Sequence, residues 1–335
     1  MQGKPWPRAV AALLVTVGIA VTATARPVEA GESLKKVTLR LAFTYNGHRS
    51  PYLMGQQKGF YAAEGLDLQV LEGTGVSAAL QLVASGQDTF AVMDPPSLML
   101  GVAQGMPLRQ VLQLYQVSPN ALISWKSANI KSPKDLEGKT VATLQGDTTT
   151  TMLMALMRKN GVDAGKVKVF AADGGTRTQT FTGKRAEAIT GFYNDSYIGL
   201  KDQVKDVDYF MYSDYGINTM GDGIGANLAT IEKQPDVVRA FVRATIRSYQ
   251  YAMEHPEEAI DALLKVAQRN REVELEKLKA TKGLLDSSDT ARYGIGYSTK
   301  AAWQATEELM AQFGGLAKRA ANVESYYTND FLPKR

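Results

Sequence analysis

The sequence holds no cysteine in 335 residues and only two histidines, His48 and His255. That excludes disulfides, thiolate chemistry and the usual zinc cages, which draw on Cys and His. It also excludes the acylated N-terminal cysteine that tethers a lipoprotein. A carboxylate-only calcium site stays open, but no EF-hand spacing occurs, and neither a metal nor a cofactor is expected. Long apolar runs are missing too. Residues 9–21 form a run of about thirteen apolar or nearly apolar residues, short of the roughly twenty that span a bilayer. Lys4 and Arg8 precede this run and Ala23-Thr24-Ala25 follows it, which is the pattern of a secretory signal peptide. Residues 1–30 are therefore read as a signal peptide cut near residue 25, with Val28-Glu29-Ala30 offering a second cut near 30. A strong charge of one sign is the last absence. The net charge is +4, and residues 1–25 hold two basic and no acidic groups, which leaves +2. Nothing there supports nucleic-acid binding, which needs clustered Lys and Arg. An exported chain with no lipid anchor is useful where an outer membrane retains it, so a soluble periplasmic protein is expected.

What is present is an α/β rhythm. Residues 37–44 read as a buried strand, and Ser50-Pro51 suits a helix start, because Ser can cap and Pro tolerates the first helical position. Leu66, Leu68 and Val70 alternate as a half-buried strand does, Ala79, Leu82 and Val83 repeat at helical spacing, and residues 89–93 are strand again. The same alternation returns after Ser132-Pro133, with strands predicted at 140–144, 167–171 and 186–192 and a helix over 149–159 that Gly161 stops. From Gln234 the chain is almost wholly helical. Val238, Phe241, Val242, Thr245 and Tyr249 line one face of a long helix ending near His255-Pro256, and residues 269–282 read as a solvated, charge-rich helix. About three hundred residues exceed one core. Two α/β lobes are predicted, residues 31–124 with 226–335 and residues 125–225, joined by a hinge with the ligand cleft between them.

Several blocks also resemble a known family. Lys58-Gly59-Phe60-Tyr61 with Glu64-Gly65-Leu66-Asp67-Leu68, then residues 132–139 (SPKDLEGK), 234–241 (QPDVVRAF) and 327–332 (YTNDFL), are similar to the SsuA/THI5-like (NMT1-type) substrate-binding proteins of ABC importers. The resemblance implies the type II periplasmic-binding-protein fold, no enzymatic activity, and an inner-membrane ABC permease and ATPase as partners. The chain itself is expected to be monomeric. That family includes binders of sulfonates, nitrate-like anions, thiamine pyrimidine precursors and riboflavin. His48 in the segment Asn46–Tyr52, Gln116-Val117-Ser118-Pro119, and Asp214-Tyr215-Gly216 look more like the pyrimidine and flavin arm. Fungal relatives that synthesise the pyrimidine carry a cysteine-rich segment absent here.

In open α/β lobes, ligands sit beyond the carboxyl ends of strands. Four loops qualify. The first supplies Tyr45, Asn46, His48 and Tyr52, with aromatic faces for a flat ring. The second supplies Asp94 and Pro95, where Asp94 either accepts from a ligand amine or caps the next helix. The third supplies Gly146, Thr148 and Thr149 beside Asp147, a residue type that caps helices. The fourth supplies Tyr193, Asn194 and Asp195, where Tyr193 stacks and Asp195 accepts a ligand N–H; pyrimidine-binding relatives also pair an aromatic with an acid there. The leading expectation is a small flat nitrogen-containing solute such as a thiamine pyrimidine precursor. An organic anion (sulfonate, taurine or aromatic carboxylate) is the alternative, and it gains if Arg49 or Arg177 enters the cleft unpaired. A pyrimidine-forming enzyme and a sensor-linked binding module are the readings from other classes.

Overall fold

The computed structural model of the chain describes residues 33–334. The expected signal peptide and its cuts near 25 and 30 lie outside the described residues. Among those described, no helix is long and apolar enough to cross a membrane.

The first part of the chain runs β1 (Lys35–Arg40), α1 (Ser50–Gln57), β2 (Leu66–Leu71), α2 (Val76–Ala84), β3 (Phe90–Met93), α3 (Pro95–Ala103) and β4 (Leu108–Gln113). The second part runs β5 (Asn120–Trp125), β6 (Thr140–Leu144), α4 (Thr148–Lys159), β7 (Lys168–Ala172), α5 (Gly174–Thr182) and β8 (Ala188–Phe192). After a π-helical turn at Tyr193–Tyr197 it continues with α6 (Ile198–Val204) and β9 (Val207–Met211). The chain then returns through β10 (Gly223–Asn227) to α7 (Leu228–Lys233), α8 (Pro235–Glu254), α9 (Pro256–Leu264), α10 (Arg271–Leu285), α11 (Ser288–Tyr293) and α12 (Lys300–Leu309).

Two five-stranded sheets result, ordered β2-β1-β3-β10-β4 and β7-β6-β8-β5-β9. In the first, β1 pairs parallel with β2 and β3, while β10 runs antiparallel to β3 and β4. In the second, β6 pairs parallel with β7 and β8, while β5 runs antiparallel to β8 and β9. The two sheets thus share one plan: the strand that follows each crossing is the antiparallel one. β5 lies wholly in the second sheet and β10 wholly in the first, so the chain changes sheet within residues 114–119 and 212–222.

Local pattern explains the elements. β2 alternates buried Leu66, Leu68 and Val70 with exposed neighbours, the period of a strand covered on one face. On α8, Val238, Phe241, Val242, Thr245 and Tyr249 are all buried, as a 3.6-residue period requires. Phe241 stacks on Phe90 of β3 with ring centroids 3.9 Å apart, which fastens α8 to the first sheet. β1 stops at Arg40, earlier than the apolar run suggests. Beyond it the Tyr45 N–H turns to the Glu72 carboxylate at 2.6 Å, which leaves residues 42–46 as a loop at the end of the sheet.

The C-terminal region ties the halves together. One apolar cluster contains Leu98 and Met99 of α3, Met152 and Leu153 of α4, and Trp303 and Met310. Arg158 of α4 also donates to the Phe313 carbonyl at 2.8 Å. The charge-rich helix α10 is not simply solvated: Glu274, Leu278, Thr281, Leu284 and Leu285 are buried. Its position decides the geometry of the site.

Candidate functional site

The first loop after β1 tightens into a helical turn, Gly47–Arg49, that lies directly on α10. Glycine is required at position 47, because a Cβ there would sit 1.9 Å from the Glu274 carbonyl oxygen. The Gly47 N–H donates to the Glu274 carboxylate. This close approach buries His48, Arg49 and Ser50, at 1%, 4% and 0% exposure. His48 and Arg49 face a cleft whose other wall is the second sheet and its loops.

The halves meet across that cleft at several points. Thr148 donates its hydroxyl to the Asp94 carboxylate, and its oxygen lies 2.6 Å from Ser97 Oγ. Ser77 Oγ donates to the Gly146 carbonyl at 2.8 Å. Lys277 Nζ of α10 reaches Asp195 Oδ1 at 3.1 Å and Glu274 Oε1 at 2.8 Å. Tyr193 Oη donates to the Ala280 carbonyl at 3.0 Å, and Asn194 Nδ2 to Thr281 Oγ1 at 3.2 Å.

These contacts divide the cleft into compartments. An inner chamber of about 60 Å³ is lined by His48, Arg49, Asp94, Asp147, Thr148 and Thr149, with Arg177, Phe192, Asp195 and Asp222 among its other walls. That is room for about two waters. An outer chamber of about 630 Å³ lies on the far side of Phe43, Arg177, Asp195 and Ser196, which line both. Its volume falls in the usual range for small-molecule sites, roughly 300–1,000 Å³. A separate groove of about 330 Å³ lies beyond the Ser97–Thr148 contact and is lined by Gly146 among others. A ring can enter the inner chamber only as the halves separate.

The electrostatics of the inner chamber are unusual for a protein interior. Four carboxylates (Asp94, Asp147, Asp195, Asp222) face two guanidiniums (Arg49, Arg177). Burial pushes the Asp94 carboxyl up to about 7, against the hydrogen bonds from Thr148 and the Ser97 N–H, with Asp222 and Asp147 adding to the rise. Burial likewise raises Asp222 against the pull of Arg49, whose Nη2 lies 3.6 Å away. Burial would raise Asp195 as well, but the Lys277 ammonium, through its charge and its hydrogen bond, and the Arg49 guanidinium outweigh it and hold it below the usual carboxylate range. Burial, reinforced by Arg49, drives His48 down to about 3. His48 is therefore a neutral imidazole at any ordinary pH.

His48 has no hydrogen-bond partner on either ring nitrogen. The nearest carboxylate oxygen, of Asp195, is 3.9 Å from Nδ1, too far for a hydrogen bond. Arg49 Nε and Arg177 Nε are also without partners. Native interiors satisfy most such groups. Four such atoms, both ring nitrogens of His48 with Arg49 Nε and Arg177 Nε, line this one cavity, while others such as Gln110 Oε1, Thr219 Oγ1 and Trp303 Nε1 lie elsewhere in the fold.

The twelve residues that sequence reasoning proposed separate into four groups. His48, Asp94, Thr148, Thr149 and Asp195 come together on the inner chamber. Tyr45 and Asn46 line the outer chamber, and Gly146 the separate groove. Tyr52 and Pro95 are buried, Tyr52 edge-on to Tyr249 at 5.3 Å. Tyr193 stacks on Tyr209, 6.2 Å between centroids and 12° between planes, and Asn194 is fully buried against α10. The phenyl rings on the chamber wall are those of Phe43 and Phe192 instead. Asp94 and Asp147 both cap helices, accepting from the Ser97 and Thr149 N–H groups at 2.9 Å. Capping and lining the cavity coexist. Lys277, Asp222, Phe43, Ser196 and Arg269 were not foreseen, though Gly221 and Gly223 around Asp222 marked a turn at a strand start.

The NMT1/THI5-like family profile matches residues 46–259. The riboflavin-binding protein RibY of Chloroflexus aurantiacus is 30% identical over 330 residues, covering 95% of this chain and 92% of the relative. The formylaminopyrimidine-binding protein of Halalkalibacterium halodurans is 28% identical over 235 residues, 70% of this chain and 71% of its own. A 4-amino-5-hydroxymethyl-2-methylpyrimidine phosphate synthase of Legionella pneumophila is 28% identical over 237 residues, 69% and 74% of the two chains. Among solved structures, the alkanesulfonate-binding protein SsuA of Xanthomonas axonopodis superposes with a TM-score of 0.69 at 12% identity, over 88% of this chain and 98% of that one. The fold is that of the periplasmic binding proteins, as the family resemblance implies. With the family profile covering well over half its length and a relative matched almost end to end, the chain belongs to the NMT1/THI5-like family.

Proposed function

We propose that this chain is the solute-binding component of an ABC importer, a periplasmic monomer that captures a small, flat, nitrogen-containing solute between two lobes. Its partners are then the permease and ATPase of the inner membrane, and its role is binding rather than catalysis. One observation carries the reading. His48 is buried and neutral, lines the inner chamber, and has no protein partner on Nδ1 or Nε2. A neutral imidazole presents one N–H donor and one acceptor nitrogen. Leaving both unmet costs about 1–3 kcal/mol per group, which a ligand edge with alternating acceptor and donor would recover. Pyrimidine-type rings have such an edge. Asp94, near half-ionised at neutral pH, can donate to a ring nitrogen or accept from an exocyclic amine, and Phe192 supplies an aromatic wall. The names of the riboflavin- and formylaminopyrimidine-binding relatives support the same kind of head group.

Calorimetry with riboflavin, formylaminopyrimidine and taurine tests this. At least one heterocycle should bind with a dissociation constant of about 1 μM or below, near 8 kcal/mol, and taurine should not bind. A 100-fold excess over that constant should then stabilise the fold by about 2.7 kcal/mol. Tight taurine binding without heterocycle binding would overturn the proposal.

A further inference from the structure

The cleft changes its charge character from inside to outside. The inner chamber has carboxylates in excess, four against two guanidiniums. The outer chamber is lined by three cations, Arg177, Arg269 and Lys277, against two carboxylates, Asp195 and Glu274. Both of those carboxylates are already engaged by Lys277, and Glu274 also accepts from the Gly47 N–H. The two arginines are therefore left over.

Among the described residues, neither arginine forms an ion pair with a carboxylate. Arg177 spends Nη1 on the Thr190 carbonyl at 2.8 Å, and its Nε, in a side chain 7% exposed, has no partner. Arg269 donates to the carbonyls of Tyr45 at 3.2 Å and Gln268 at 3.3 Å. One arginine comes from each half of the molecule. The start of α5 does not supply the anchor, because Asp173 already accepts from the Thr176 N–H and hydroxyl. The cations left to face the chamber are the two guanidiniums that line it.

We propose that the outer chamber is a subsite for an acidic oxyanion, a phosphate ester or carboxylate, carried on a tail of the ligand whose ring enters the inner chamber. The ligand is thus two-ended, with its nitrogen-rich head toward Asp94 and Asp222 and its acid toward Arg177 and Arg269. Guanidinium groups suit this task because their fork of N–H donors matches two oxygens of a phosphate or carboxylate. Drawing one arginine from each half also makes the anion a bridge that favours closure. The inference rests on the heterocycle reading above. It reconciles that reading with the expected mark of an anion binder, since Arg49 is paired with Asp222 but Arg177 is unpaired.

The experiment compares matched alcohols and phosphate esters: riboflavin with riboflavin 5′-phosphate, and 4-amino-5-hydroxymethyl-2-methylpyrimidine with its phosphate. For the pair whose alcohol binds, the ester should bind at least tenfold more tightly at low salt. That preference should shrink as salt screens it, and should fall below threefold in Arg269→Gln, a change at an exposed position, and in Arg177→Gln. An alcohol that binds as well as or better than its ester overturns the inference and leaves the proposed function standing. An ester preference that survives both substitutions also overturns it. If no alcohol and no ester binds, the inference is overturned; if formylaminopyrimidine fails to bind as well, the proposed function fails with it.

Discussion

Arg49→Met should lower the stability of the fold by about 3–5 kcal/mol, the usual cost of stranding one partner of a buried ion pair. Arg49 and Asp222 are both nearly inaccessible, with side chains 5% and 8% exposed. Without Arg49, the Asp222 carboxyl loses its paired cation and keeps Asp147 and Asp195 as like-charged neighbours. Methionine fills most of the volume, so the loss reports on charge rather than on a cavity. The melting temperature should fall by on the order of 10 °C. Adding Asp222→Asn should recover most of it, because an amide carries no charge to strand. A double variant as unstable as the single one would mean that Arg49 acts through packing alone.

The second large effect is in the pH dependence. An unfolded Asp94 carboxyl ionises near 3.8 and the folded one at about 7. Between these values the native state holds one proton more than the unfolded chain, so stability falls as pH rises. A gap of that size corresponds to about 4 kcal/mol. His48 works the other way: it ionises near 6.5 unfolded and about 3 folded, so the native state loses stability as pH falls below 6.5. The two slopes oppose one another across roughly pH 4–6.5. Asp94→Asn removes one of them, so the variant should lose stability on acidification where the wild-type chain stays nearly level. Asp222, also raised, and Asp195, lowered, affect both proteins alike, and the difference between the curves isolates Asp94. Melting temperatures of both proteins from pH 4 to 7 would show it. Parallel curves would mean that Asp94 is not the buried acid described here.

Much of the fold was legible because its signals are local. The apolar face of α8 follows from spacing alone, and so do the alternation in β2 and the helix starts after Asp94 and Asp147. The inner chamber was partly legible for the same reason: His48, Asp94, Thr148, Thr149 and Asp195 all follow strand ends. What was missed depends on distant partners. An aromatic beside an acid at the end of β8 is equally suited to a ligand or to another protein ring, and Tyr209 on β9 takes Tyr193 while Phe192 faces the cavity. Glu274 and Lys277 stand three residues apart on α10, a spacing that also describes a solvated surface pair. Only the approach of Gly47 to the α10 backbone turns that pair inward, and no sequence period encodes such an approach.

On the proposed function, His48 is held unsatisfied for the sake of a ligand. His48→Leu tests it in one melting experiment with and without the heterocycle that binds the wild-type protein. Leucine is similar in size and brings no polar atom, and the hydrogen bond from Tyr115 Oη to the His48 backbone carbonyl, 3.3 Å long, does not depend on the side chain. The free variant should melt higher, more stable by about 2–6 kcal/mol at about 1–3 for each of the two orphaned nitrogens removed, and the ligand-induced rise should disappear. A variant that melts lower than wild type yet keeps the full ligand-induced rise would contradict it, placing His48 in the architecture of the fold and outside recognition.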